Sequence, residues 1–328
     1  AAADTGQGHG PARYSPGMDT PVTPHMDTLN AAHAIPDQLV FIAGPGGLPL
    51  IEVHNAHASA QVSLHGGQVL RFRPRTASAD LLFVSERARY QAGTAIRGGV
   101  PVCWPWFGAD PEGLGRPNHG FARTKAWSVA GTTALPGGAT RIALALTDGP
   151  DTRAIWPHGF QLGLEITVGP SLRLALLTRN TGGQPFTITQ ALHSYLAVGA
   201  LAQTSVAGLD GCHYLDKAAG APGALRKQLG AVVFTAEVDR IYTGAPATLS
   251  VQDGTGQRVL RIRSEGSRTA VVWNPGAALA AGMADLADEE YRRFVCVETA
   301  NVADDAVTLP PGGEHRLVAD IGWQGEPG

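Results

Sequence analysis

The sequence predicts an all-β protein, one large antiparallel β-sandwich with few short helices. Three observations carry that prediction. Short apolar or alternating runs recur from Leu39 to about Trp323, separated by Gly, Pro, Asn and Asp. Helical periodicity is confined to one brief stretch. No linker interrupts the series, and 328 residues suit one large all-β domain as well as two ordinary ones.

Taken in order, residues 1–37 are rich in Ala, Gly, Pro, Thr and His without sustained periodicity. Residues 1–38 are therefore expected to form a flexible tail. A single sandwich domain is expected over 39–324, and 325–328 as a short C-terminal tail. The runs LVFIA (39–43), PLIEVH (49–54), AQVSL (60–64), RIALALT (141–147), QLGLEITV (161–168) and LRLALLTRN (172–180) read as strands. So do PFTITQ (185–190), TLSVQD (248–253), RVLRIRS (258–264), TAVVWN (269–274) and RFVCVET (293–299). Many alternate with period two, as half-buried strands do. Gly46–Gly47 and Gly182–Gly183 fall between runs, where hairpin turns are expected. MADLADEEY (283–291) reads as two solvent-facing helical turns.

Composition narrows the function. Hydrophobic content of 44% and charged content of 16% suit a globular chain with a substantial core. A net charge of −3 without a basic run argues against nucleic acid. No apolar run nears the roughly 20 residues that span a bilayer, so no membrane partner is expected. The N-terminus does not read as a secretory signal. Three distant cysteines argue against a disulfide framework, so a cytoplasmic location is expected.

The richest segment is 95–125, AIRGGVPVCWPWFGADPEGLGRPNHGFARTK. Pro101 and Pro105 exclude an interior helix or central strand. Apolar residues in a proline-stiffened loop, flanked by Arg97, His119 and Arg123, suggest a pocket for an anionic ring-shaped ligand. Alternatively, in a chain with only three lysines and many arginines, these are surface residues.

Glu298 shares a strand face with Phe294 and Cys296. Buried there, its carboxyl would have a raised pKa; at the strand end it would simply be solvated. His193 sits among Leu192, Tyr195 and Leu196. It reads either as a hydrogen-bonded core residue or, with Glu298, as an acid–base couple. Asp239 caps a turn or accepts ligand hydroxyls. Trp273 and Asn274 end a strand, as an ordinary exit or as a wall and hydrogen bonds for a sugar. His54, His57 and His65 lack a metal-binding pattern, and no metal is expected. GxSxG, P-loop and GxGxxG signatures are absent, which argues against serine hydrolases, NTPases and dinucleotide enzymes.

Eight segments in order, LHGGQVLRF (64–72), AIRGGVPVCWPWFG (95–108), NHGFARTKAWSV (118–129), ALHSYLAV (191–198), VDRIY (238–242), VVWNPG (271–276), GMADL (282–286) and VCVETANV (295–302), resemble the hexose-6-phosphate mutarotases. These glucose-6-phosphate 1-epimerases are a branch of the aldose 1-epimerase superfamily. The resemblance covers about residues 39–323 and implies a large antiparallel sandwich. It implies cofactor-free interconversion of the α and β anomers of an aldohexose 6-phosphate; separately, the chain is expected to act as a monomer. It further implies His193 as acid and Glu298 as base. His119 would bind the sugar near its ring, Arg97 and Arg123 would hold the phosphate, and Gln68 and Asp239 would meet hydroxyls. Trp104, Trp106 and Trp273 are candidate walls. Two rivals stay open: a mutarotase of unphosphorylated aldoses, and a carbohydrate-binding or regulatory protein without turnover. The simultaneous presence of His193 and Glu298 favours catalysis.

Overall fold

The computed structural model describes residues 26–218 and 223–325. Its sheets are antiparallel, with two large ones at the centre. The larger has nine strands. Its middle is set by the runs with the cleanest alternation, Phe160–Val168 and Leu172–Asn180, paired so that Leu164 faces Leu176 and Ile166 faces Leu174. Such cross-strand pairs of large aliphatic residues stabilise a sheet and fix its register. A four-stranded meander, Leu39–Ala43, Pro49–His54, Ala58–Ser63 and Gln68–Pro74, forms a further sheet.

The other large sheet carries the candidate site. Its eight strands are Val102–Cys103 (β1), Gln190–Leu192 (β2), Tyr195–Ala197 (β3), His213–Asp216 (β4), Ala224–Lys227 (β5), Val238–Thr243 (β6), Thr269–Asn274 (β7) and Phe294–Asn301 (β8). They run in the order β5-β4-β6-β7-β8-β2-β1, and β3 also pairs with β8. The short β1 lies at the edge, where the flanking Pro101 and Pro105 cost no central ladder bond.

The two faces of this sheet differ. Val295, Val297 and Val272 pack with Leu162, Leu164 and Leu174 in the main core. There the Ser264 and Thr299 hydroxyls meet at 2.7 Å, tying the two large sheets together. Phe294 and Cys296 lie on the opposite face with Tyr195 and Trp273. Glu298 belongs to that second face by alternation, as the sequence predicts.

Four differences from the sequence prediction stand out. Residues 26–38 are not a tail: Met26–His33 form helix α1. Asn30 there holds Phe41 through both its backbone groups at 2.8 Å, and Met26 and Leu29 pack on the core. Tertiary contacts hold this helix, whose sequence lacks a strong apolar face. The remainder of the expected tail, 1–25, and residues 326–328 lie outside the described residues. Residues 283–289 form turns, followed by a 3₁₀ turn at Glu290–Arg293; the nearby α-helix is Gly276–Ala280. Nor is the acidic cluster all solvent-facing. Glu290 is buried and accepts hydrogen bonds from Ser85 Oγ and the backbone N–H of Glu86 and Ala287. These bonds recruit the acidic side chains inward and bend the chain. Finally, Gly46–Gly47 does turn a hairpin, but Gly182–Gly183 joins strands of different sheets.

Candidate active site

The strand ladders bring His193 and Glu298 together. Leu192 pairs with Thr299 and Tyr195 with Cys296. The same register, continued between them, sets His193 across from Glu298. The ladder is interrupted there: His193 N–H donates to Pro101 O, and Ser194 N–H turns back to Leu192 O. Interruptions of this kind re-aim side chains. His193 Nε2 stands 3.4 Å from Glu298 Oε1, and the residues are 6% and 2% exposed. His193 stacks on Tyr195, with ring centroids 4.8 Å apart, and meets Trp273 edge-on at 5.9 Å.

Burial drives both groups towards their neutral forms. Desolvation, aided by His119, Arg123 and Arg97, holds His193 well below the ordinary histidine value of 6.5. Desolvation and the charge of Asp239 hold Glu298 well above the ordinary 4.5, against the pull of Lys217 and Arg123. Both shifts favour the neutral pair, with a shared proton on Glu298 rather than on His193. His193 Nδ1 and Glu298 Oε2 are buried and make no hydrogen bond among the described residues.

A cavity of about 250 Å³ opens on this pair. Arg97, His119, Arg123, Asp239 and Trp273 line it, as do Phe107, Asn118 and Lys217. Each arrives by a local device. Arg97 precedes Gly98, whose φ is +118°; a Cβ there would come within 2.4 Å of Val84 Cα, so only glycine lets this loop cross its neighbour. His119 has φ +63° and is latched to Gly108 twice: its N–H donates to Gly108 O at 2.7 Å, and its Nδ1 accepts from Gly108 N–H at 3.2 Å. The neutral ring thus carries its proton on Nε2. Burial and the nearby Arg123, Lys217 and Arg97 charges push His119 down to about 3. Arg123 donates to Asn118 O, while its buried Nε has no partner among the described residues. Asp239 is raised by burial, an effect that Lys217 opposes.

Arg97 is not a free cation. Its Nε and Nη2 each donate to Asp285 at 3.2 Å, and Nη1 donates to the Tyr195 hydroxyl at 3.0 Å. This fork is about three-quarters buried, with side chains 24% and 22% exposed.

Two residues expected at the ligand stand elsewhere. Gln68 is fully buried behind the Arg97 loop, and its Nε2 donates to Ile96 O and Gly98 O. Asn274 is also fully buried. It donates to Tyr291 O and Phe294 O and accepts from Gly276 N–H. Both are absent from the cavity lining; amides in such places satisfy backbone groups that would otherwise be orphaned. Trp104 and Trp106 are core residues, leaving Trp273 and Phe107 as aromatic walls. Desolvation penalises both charges of the expected pair, a protonated His193 beside an ionised Glu298.

Asp285 and Lys217 are further site residues, in local sequence contexts that do not single them out. Asp285 sits in a cluster that resembles an exposed acidic run. Lys217 carried a usable signal, being one of three lysines in an arginine-rich chain. Elsewhere, a larger cavity of about 540 Å³ between Leu201, Phe234, Pro275 and Tyr291 contains no histidine or cysteine. His57 and His65 each bond a backbone carbonyl, Gly137 O and Thr94 O. Among the described residues no helix is long and apolar enough to cross a membrane.

The aldose 1-epimerase family model matches residues 49–321. A Cenchrus ciliaris protein provisionally named glucose-6-phosphate 1-epimerase is 36% identical over 285 residues, spanning 84% of this chain and 85% of its own length. An Escherichia coli K12 protein with the same provisional name is 35% identical over 258 residues, covering 78% and 84%. The crystal structure of a provisionally named mutarotase from Salmonella typhimurium superposes with a TM-score of 0.82 at 31% identity, covering 92% of this chain and all of that one. With its sandwich fold and a match across most of its length, the chain belongs to the aldose 1-epimerase family.

Proposed function

We propose that this protein interconverts the α and β anomers of an aldohexose 6-phosphate, with His193 and Glu298 as the proton-transfer pair. The observation that carries the reading is their 3.4 Å approach in a cavity that also holds Arg97 and Arg123. The provisional names of the relatives support the phosphorylated substrate.

The pair holds one proton, so it can give one and take one. Substrate phosphate would offset the Arg97 and Arg123 charges that help to depress His193, favouring transfer of the proton from Glu298 to His193. Glu298 then removes the proton from the anomeric hydroxyl while His193 donates to the ring oxygen. The C1–O5 bond breaks and leaves the open aldehyde. This step returns the pair to protonated Glu298 and neutral His193, the form that burial favours. The aldehyde turns about C1–C2, and closure on its other face reverses the transfers. Each general acid or base typically gives about 10²–10⁴-fold.

His119, donating from Nε2, and Asp239 would hold hydroxyls, with Trp273 as a wall. Arg97 and Arg123 would orient the phosphate away from the reacting centre. The chain works as a monomer on this reading, and its free cysteines suit a reducing cytoplasm. A polarimetric assay with pure α-glucose 6-phosphate, beside glucose and galactose, tests it. Faster equilibration of the phosphate ester is expected. Preference for a free aldose would favour the unphosphorylated-aldose reading, and no turnover of any would favour a binding protein.

A further inference from the structure

Lys217 lines the same cavity as His193 and Glu298. It follows β4, and its backbone N–H donates to Asp239 O at 2.8 Å, which fixes where the side chain leaves the sheet. Its Nζ lies 6.0 Å from the centre of the Phe107 ring, and a Cβ built on Gly108 would stand 3.7 Å from it. Among the described residues Lys217 makes no ion pair with a carboxylate, whereas Arg97 is held by Asp285. The Arg97 and Asp285 charges cancel to a first approximation. Among the described arginines of the lining, Arg123 is then the one without a carboxylate partner to face a phosphate that carries about −1.5 to −2 near neutrality. Lys217 brings to two the cationic side chains of the lining that are free of a carboxylate salt bridge among the described residues.

We propose that Lys217 is a specificity residue of this site, whose ammonium, with Arg123, binds the phosphate and sets the preference for phosphorylated over free sugar. This rests on the hexose-phosphate reading above. The competing role is electrostatic: Lys217 as counter-charge to Asp239 and Glu298, felt equally by every substrate.

The test compares wild type, Lys217→Gln and Lys217→Arg. The readouts are kcat/KM for α-glucose 6-phosphate and for α-glucose, and the inhibition of glucose turnover by inorganic phosphate. The ratio of the two kcat/KM values should fall about tenfold in Lys217→Gln, within the range of a charge-assisted hydrogen bond. The phosphate inhibition constant should rise alongside it, and Lys217→Arg should recover most of both. Equal losses on both sugars with an unmoved inhibition constant would overturn the proposal in favour of the counter-charge role. A wild-type enzyme with no phosphate preference would sink the hexose-phosphate reading and this assignment together. A preference that survives Lys217→Gln would sink this assignment alone.

Discussion

His193 stands across the β2/β3–β8 ladder from Glu298, with Nε2 and Oε1 3.4 Å apart at an interruption of that ladder. Two groups that share one proton in a buried site act as a unit. His193→Asn and Glu298→Gln should each lower kcat by about 10²–10⁴-fold. The double variant should be little worse than either single one. Anomer exchange followed by polarimetry checks this, and near-normal kcat in either variant would remove that residue from the mechanism.

The pH profile of kcat/KM should be bell-shaped, with limbs that follow the resting pair. As pH falls, the second proton enters on His193, whose affinity burial has lowered; activity is lost below the ordinary 6.5. As pH rises, the last proton leaves Glu298, whose affinity burial has raised; activity is lost above the ordinary 4.5. Glucose is the substrate of choice here, because phosphate itself titrates near pH 6. In the residual activities, His193→Asn should flatten the acid limb and Glu298→Gln the alkaline limb. The opposite pairing would mean that the free enzyme rests as an ion pair.

Stability should carry the same signature. Above the ordinary glutamate value the unfolded chain releases the Glu298 proton while the folded chain keeps it. Glu298 therefore contributes less stability as pH rises towards its raised folded value. Glutamine has no proton to lose, so the Tm advantage of Glu298→Gln should be larger at pH 8 than at pH 5. A pH-independent difference in calorimetry would contradict the burial argument.

Arg97 and Asp285 should behave as one unit in a double-mutant cycle. Arg97→Ala leaves the Asp285 carboxylate beside the cavity, where it repels phosphate. The loss in kcat/KM for glucose 6-phosphate should be about 10–100-fold, in the range of a charged hydrogen bond. Adding Asp285→Asn should recover part of it, giving a coupling of about 0.5–3 kcal/mol. Simple additivity would show that the fork seen between them has no role in turnover.

Asn274→Ala should act on stability. It deletes three hydrogen bonds of a fully buried amide and orphans Tyr291 O and Phe294 O. An orphaned buried group costs about 1–3 kcal/mol, so the melting temperature should fall by several degrees. A large loss of affinity for sugar with no thermal effect would restore Asn274 as a ligand contact.

The sandwich was legible because strand alternation is local: Leu172–Asn180, Thr248–Asp253 and Thr269–Asn274 begin and end where their patterns do. The shared face of Phe294, Cys296 and Glu298 follows from the same period of two. Residues of the cavity floor and rim, His193, Glu298, His119 and Arg123, were recognisable as chemistry-bearing types in unusual apolar settings. Ser128–Ala134 and His213–Asp216 carry weak strand signals, the first with few apolar residues and the second only four residues long. Tertiary structure alone decided the rest. Gln68 and Asn274 became struts because backbone carbonyls distant in sequence needed donors. Arg97 lost its free charge to a carboxylate 188 residues away, and desolvation, which depends on what packs around a group, favours the proton of the central pair on Glu298.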